Sequence, residues 1–348
     1  MATGPAGWLA QLAARLEEEA PPDTDALPDA LEPLLLGARR RYTRAQIAER
    51  AGLAEDEGRR LWRALGFPDV ADDEVAFTDR DLEALGLLAQ LTDAGVLKRE
   101  VREAVIRAIA QSVAGLAWWQ VRMLAQVVED VPEAERARRS LELAASTLPV
   151  LEQLQTFMWR RHLAATVRRL LTVEALGDGA AERAWLTIGF ADMVGFTKAT
   201  RSRSIDELGD VLERFFAVSA EVVAEGRGRI VKTIGDEVMY VADTAADAAA
   251  IALELQDRVQ PEPALPELRI GLAAGPVLVR FGDVYGEPVN IAARLTARTR
   301  PGRVLVDREV AAALADDPAF SLRPLRPLKV RGYEHLARWR LTRGRNGQ

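Results

Sequence analysis

The sequence predicts an all-helical first half joined to an α/β second half, and three observations carry that prediction. Residues 1 to about 174 are rich in Ala, Leu, Arg and Glu at helical spacing. After the run ALGDGAAER at 175–183, short β-branched segments alternate with helical ones. At 348 residues the chain is long enough for each half to bury a core of its own.

In the first half, breaks are expected at PPDTDALPDA, at GFPDVADDE, at Pro132 and at Pro149. The amino terminus reads as a short amphipathic helix with Trp8, Leu9, Leu12 and Leu16 on one stripe, without the h-region of a secretion signal. The stretch YTRAQIAERAGLAEDEGRRLWRALGF reads as a helix-turn-helix: Thr43 is the N-cap, Ala48 and Gly52 stand four apart for the tight turn, and Leu53 leads into the second helix. It resembles the MerR-type version of that motif. Arg39, Arg40, Arg41, Arg44, Arg59, Arg60 and Arg63 give it local positive charge, but Asp69, Asp72, Asp73 and Glu74 follow at once, so packing is favoured over DNA binding. The last helix, at 156–175, carries the stripe Leu163, Val167, Leu170 and Leu171, which should meet a partner, with His162 beside it. Histidine changes charge between pH 5 and 8, so His162 is a candidate regulatory switch.

In the second half, strands are expected at WLTIGFADM, GRIVKTI, EVMYVA, LRIGLAAG, PVLVRF and RVLVD. Helices are expected at about 204–225, 243–259, 287–299 and 308–315. Composition narrows the chemistry. The net charge of −6 gives no general attraction to nucleic acid, and without cysteine there is no disulfide, thiolate site or thiol nucleophile. The most apolar stretch, AVIRAIAQSVAGLAWWQVRML, is interrupted by Arg107, Gln111 and Arg122, so it belongs to a core and not to a membrane. A cytoplasmic location follows as the default expectation.

Three segments point to chemistry on phosphates. In TIGFADMVGFT, Asp192 ends a strand and VGFT opens a helix whose backbone N–H groups can meet phosphate oxygens. In VKTIGDEVMY, Asp236 sits at a hairpin tip. Two such carboxylates are the least that can hold hard divalent cations that keep several waters. In GDVYGEPVNIAARLTAR, Asn290 and Arg294 are four apart on one helix face, and Asp283 precedes them on a loop.

Taken in order, FADMVGFT, VKTIGDEVMY and GDVYGEPVNIAARL resemble the catalytic domain of class III nucleotidyl cyclases over about 183–342, with residues 1–174 as a helical regulatory domain. The "GDE" also invites comparison with diguanylate cyclases, whose GGDEF pattern fails here because Ile234 replaces the first glycine and Val238 follows Glu237. The class III resemblance implies a ferredoxin-like α/β fold and conversion of ATP to 3′,5′-cyclic AMP and pyrophosphate with two Mg²⁺ or Mn²⁺ ions. It makes Asp192 and Asp236 the metal ligands. It makes Lys232 and Asp283 the base-reading pair, a donor and acceptor set that suits adenine and opposes guanine. Asn290 would orient the ribose, and Arg294 would stabilise charge on the α-phosphate. Lys329 and Arg331, in RPLKVRGYEHLARWRL, compete for the triphosphate-binding role. Glu237 is expected to be solvent-facing or structural, and Phe190 and Phe196 to be core.

The same resemblance implies a homodimer with shared active sites, so a helical domain that biases the two chains' orientation would regulate activity. The arrangement looks like soluble bacterial cyclases with an autoinhibitory, in some cases pH-responsive, regulatory domain. Two rivals stay open: a DNA-binding regulator whose cyclase-like half senses a nucleotide, and a guanylyl cyclase.

Overall fold

A computed structural model describes residues 27–174, 183–196, 203–262 and 264–344, with side chains omitted for 169–174. The amino-terminal stripe expected at Trp8 to Leu16 therefore lies outside the described residues. The chain divides into two units between Leu171 and Thr172.

The first unit is helical: α1 (Leu27–Leu36), α2 (Arg44–Arg50), α3 (Glu55–Ala64), α4 (Asp79–Asp93), α5 (Arg99–Val127) and α6 (Glu133–Glu174). Thr43 caps α2 as expected, accepting from the Gln46 N–H while Gln46 returns a bond to the Thr43 backbone. Such a capping box is worth about 1 kcal/mol. Gly52 takes φ +66°, the left-handed turn that separates α2 from α3. Tyr42, Ile47 and Phe77 form one small core, and Leu61, Ala64 and Ile106 another. The breaks at 66–74 and Pro132 are present, but Pro149 lies inside the 42-residue α6 and does not end it. One lost backbone bond is outweighed by helix formers on both sides. In the preceding turn, the Ser146 and Thr147 hydroxyls both donate to the Leu143 carbonyl, at 3.0 and 2.7 Å.

Of the arginines of the helix-turn-helix segment, Arg40, Arg41, Arg44, Arg59, Arg60 and Arg63 pair with carboxylates within the fold. Arg40 meets Glu32 at 2.6 Å, Arg60 meets Asp56 at 2.5 Å and Glu103 at 3.0 Å, and Arg63 meets Asp69 at 2.5 Å. Arg44, buried, pairs with Asp72, and Arg59 lies 3.5 Å from Glu55.

The second unit is built on one mixed sheet. Its strands are β1 (Arg183–Met193), β2 (Arg229–Ile234), β3 (Glu237–Ala242), β4 (Leu268–Arg280), β5 (Asp283–Tyr285), β6 (Arg303–Val306), β7 (Phe320–Val330) and β8 (Tyr333–Arg343). The helices are α7 (Ile205–Glu225), α8 (Ala245–Val259), α9 (Glu287–Arg298) and α10 (Arg308–Ala313). The order β2-β3-β1-β4-β6-β8-β7 begins with the antiparallel ferredoxin-like set, as expected. The expected strands LRIGLAAG and PVLVRF are one continuous strand, β4, because Gly275 and Pro276 stay in register opposite Leu186 and Trp185 of β1. Of VGFT, expected to open a helix, Val194 and Gly195 form a turn and Phe196 is helical, while Thr197 lies outside the described residues.

Alternation along the strands sorts the two faces. Val238, Tyr240 and Ala242 of β3 face one core with Phe215 and Val222 of α7 and Ile251 and Leu255 of α8. Met239 and Val241 face the other, with Ile188 and Phe190 of β1 and Ala292 of α9. Phe190 and Phe196 are core residues, as expected. The α9 contact is close: a Cβ on Gly271 of β4 would stand 2.5 Å from the Ala292 carbonyl oxygen and from the Thr296 nitrogen. Only glycine lets the helix backbone come so near the sheet.

Candidate active site

The site is assembled on the sheet face that α9 covers, and strand register decides which side chains reach it. Asp192 of β1 is paired directly with Glu237 of β3 on one side and Arg269 of β4 on the other. Directly opposed residues of antiparallel strands project to the same face, so the three side chains form a row across the sheet. Arg269 Nε donates to Asp192 Oδ2 at 2.5 Å. Asp236 occupies the β2–β3 turn next to this row, and its carbonyl accepts from the Met193 N–H at 3.2 Å.

The row is charged and half-buried, and it perturbs its carboxylates. Burial first, then the Asp192 charge, pushes Glu237 up to about 7, against the opposing pull of Arg269. The same two causes lift Asp236 above the usual carboxylate range. Glu237 is thus no solvent-facing bystander: the sheet order places it beside Asp192. Neither Glu237 nor Arg269 stood out in the sequence as part of a site, since each reads there as a polar residue near a strand end.

Lys232 reaches the same face through a β-bulge. Ile230 is opposite Tyr240, whereas Lys232 is opposite Met239, so one residue of β2 is extra between them. Without that extra residue Lys232 would point to the other face of the sheet. There it donates from Nζ to Asp283 Oδ2 at 2.6 Å. Asp283 was expected on a loop; it is the first residue of β5, opposite Arg280. Its other oxygen accepts from the Val284 N–H at 2.8 Å. Burial raises this carboxyl's affinity for a proton, but the Lys232 hydrogen bond and the Val284 N–H outweigh it and hold the group below the usual range.

Asn290 and Arg294 sit one turn apart on α9, Asn290 exposed and Arg294 half-buried. The Arg294 Nε is buried without a hydrogen-bond partner among the described residues. Lys329 of β7 and Arg331 in the β7–β8 turn are both exposed, and Lys329 faces Glu334 at 3.2 Å. The structure therefore brings together Asp192 with Asp236, and Lys232 with Asp283; it leaves Lys329 and Arg331 as alternatives on one hairpin. His162 lies in the other unit, exposed on α6.

The family model of the adenylate and guanylate cyclase catalytic domain matches residues 180–343. A protein of Streptomyces coelicolor named adenylate cyclase is 38% identical over 95% of this chain and 93% of its own. The chain belongs to the adenylate and guanylate cyclase family. An adenylate cyclase of Streptomyces griseus is 40% identical to this cyclase, over 82% of this chain and 71% of that one. A protein of Mycobacterium tuberculosis named pH-sensitive adenylate cyclase is 31% identical over 90% and 82%.

Catalytic domains of this family use divalent metal ions. The residues of this cyclase fit such ions: Asp192 and Asp236 are hard oxygen donors held close enough that the charge of one raises the proton affinity of the other. Among the described residues no cluster of three acidic or histidine side chains is arranged as a closed metal cage. An ion held by two carboxylates keeps positions open for water and phosphate oxygens. No described helix is long and apolar enough to cross a membrane.

Proposed function

We propose that this protein is an adenylyl cyclase that converts ATP to 3′,5′-cyclic AMP and pyrophosphate at sites shared between two copies of the chain. The observation that carries the choice of ATP is the contact between Lys232 and Asp283. An ammonium donor and a carboxylate acceptor side by side match the N1 acceptor and the exocyclic amine of adenine; guanine presents the opposite pattern. The named relatives support the same reading.

Asp192 and Asp236 would hold two ions, Mg²⁺ or Mn²⁺. Bound there, the ions would lower the proton affinity of the ribose 3′-hydroxyl and neutralise charge on the phosphates. The protein's own side chains do the rest. Asn290 orients the ribose, so that the 3′-oxygen approaches the α-phosphorus in line with the departing pyrophosphate. Arg294, whose Nε has no hydrogen-bond partner among the described residues, donates to the α-phosphate oxygens as their charge grows. Lys329 or Arg331, exposed on the β7–β8 hairpin, meets the terminal phosphates.

In the homodimer, one copy supplies the aspartates and the other supplies Lys232, Asp283, Asn290 and Arg294. Residues 1–174 form the regulatory domain, with the MerR-like helix-turn-helix as a packing element and α6 as the linker to the catalytic residues 183–342. The carboxylate partners of Arg40, Arg44, Arg60 and Arg63 support packing over phosphate contact. A relative named as pH-sensitive supports a pH-responsive role for that domain, with His162 as the candidate switch. A location in the cytoplasm fits this reading.

The test is incubation of the purified protein with ATP or GTP and Mn²⁺. Cyclic AMP should form from ATP, and cyclic GMP should form from GTP far more slowly. Equal rates with both nucleotides, or no cyclic product from either, would overturn the assignment.

A further inference from the structure

We propose that Arg269 is the resident counter-ion of Asp192 and competes with the divalent cation for that carboxylate, so that it sets the cation affinity of the site. This rests on the reading of Asp192 and Asp236 as metal ligands. The geometry is direct: Nε of Arg269 lies 2.5 Å from Asp192 Oδ2, and the two residues are register partners on adjacent strands. The aspartate is the more enclosed partner, at 13% side-chain exposure against 35% for the arginine. Its ready exchange partner is therefore the guanidinium, which can swing toward solvent while the carboxylate stays in place.

Two physical facts make the contact a competition. A hard divalent ion binds carboxylate oxygen at about 2.0–2.6 Å, so it cannot share Oδ2 with Nε, and an ion on the other oxygen still meets the guanidinium's positive charge. The guanidinium also stays charged at every working pH, so its repulsion of an incoming cation is not relieved by deprotonation. An arginine here keeps the row from gathering cations indiscriminately.

The experiment measures Mn²⁺ binding to the full-length protein without nucleotide, from the loss of the free-ion paramagnetic resonance signal. Arg269→Gln should bind Mn²⁺ about tenfold or more tightly than the parent protein. Arg269→Lys keeps the charge but loses the planar fork, so its affinity should fall between the two. If either folded variant binds Mn²⁺ no more tightly than the parent, the competition does not exist. A third variant separates this from the underlying assignment. Asp192→Asn should bind Mn²⁺ more weakly than the parent; if it binds equally well, Asp192 is no metal ligand and the proposal falls with that reading.

Discussion

Lys232 and Asp283, 51 residues apart in sequence, meet at 2.6 Å because a bulge in β2 turns the lysine onto the face where β5 begins. Both partners are charged and only part-exposed, so loss of one leaves the other without its hydrogen bond. Lys232→Ala should lower kcat/KM for ATP by about 10–100-fold, the effect of about 1.5–3 kcal/mol for a hydrogen bond to a charged group. Discrimination against GTP should narrow in the same variant. Initial rates with both nucleotides check it; an unchanged ratio of kcat/KM for ATP and GTP would remove the pair from base reading.

A site shared between copies predicts complementation. Asp192→Ala alone should reduce cyclic AMP formation by at least about 10³-fold, because it removes one of the two carboxylates proposed to hold the metals. Lys232→Ala fails in the other half of the site. Mixed under conditions that exchange subunits, the two variants should regain activity through heterodimers with one intact site. Mass spectrometry that shows exchange, together with an inactive mixture, would place the aspartate and lysine in the same chain's site.

Asp307 caps α10 from a buried position, accepting from Val310 N–H at 2.9 Å and from Ala274 N–H at 3.4 Å. Burial pushes its carboxyl up to about 6, although both N–H groups pull the other way. The unfolded value is about 3.9. The folded state therefore binds more protons between pH 4 and 6, and this group's contribution to stability falls as pH rises through that window. The cost is fully present above about pH 6 and relieved below about pH 4. Asp307→Asn cannot titrate, so the slope of unfolding free energy against pH between 4 and 6 should flatten. Denaturant unfolding at several pH values decides it; superimposable slopes would show that Asp307 titrates normally.

His162 on α6 is the candidate for pH control from the first unit. It is exposed, close to the exposed apolar side chains of Trp159, Leu163 and Val167, a surface that a partner would cover. Its expected stripe extends to Leu170 and Leu171, whose side chains lie outside those described. Protonation beside a covered apolar surface changes how that surface docks. His162→Ala should shift or flatten the pH profile of cyclase activity between pH 5 and 8 while leaving kcat at the optimum within about twofold, since it lies outside the catalytic unit. A profile identical to that of the parent protein would acquit this residue.

Local signals made the elements legible: the Thr43 cap, the alternation in β1 and β3, the apolar stripes of α7 and α8. The carboxylates Asp192 and Asp236 also stood out, because Asp is costly after the apolar run TIGFA and natural at a turn. What could not be read was set by pairing between distant strands. Nothing near Arg269 in LRIGLAAG indicates that β4 lies beside β1, and nothing near Glu237 indicates that β1 lies beside β3. The bulge at Ile230 to Lys232 leaves only the adjacent apolar pair Ile230 and Val231 as its mark, which a strand buried on both faces would show as well. Pro149 misled for the opposite reason: its local rule is strong, but 42 residues of helix override it.

The absence of any side chain at Gly271 has a mechanical consequence. At this point the β4 backbone meets the backbone of α9, the helix that carries Asn290 and Arg294, with no rotatable atoms between them. Thr296 ties the helix to β1, its hydroxyl standing 3.3 Å from the Phe190 carbonyl while it bonds the Ala292 carbonyl of its own helix at 2.9 Å. Sliding or rolling of the helix over the sheet would have to break these contacts, so Asn290 and Arg294 are held to the sheet through them. A signal acting on these two residues would have to move helix and sheet as a single piece, like a jaw and its bone.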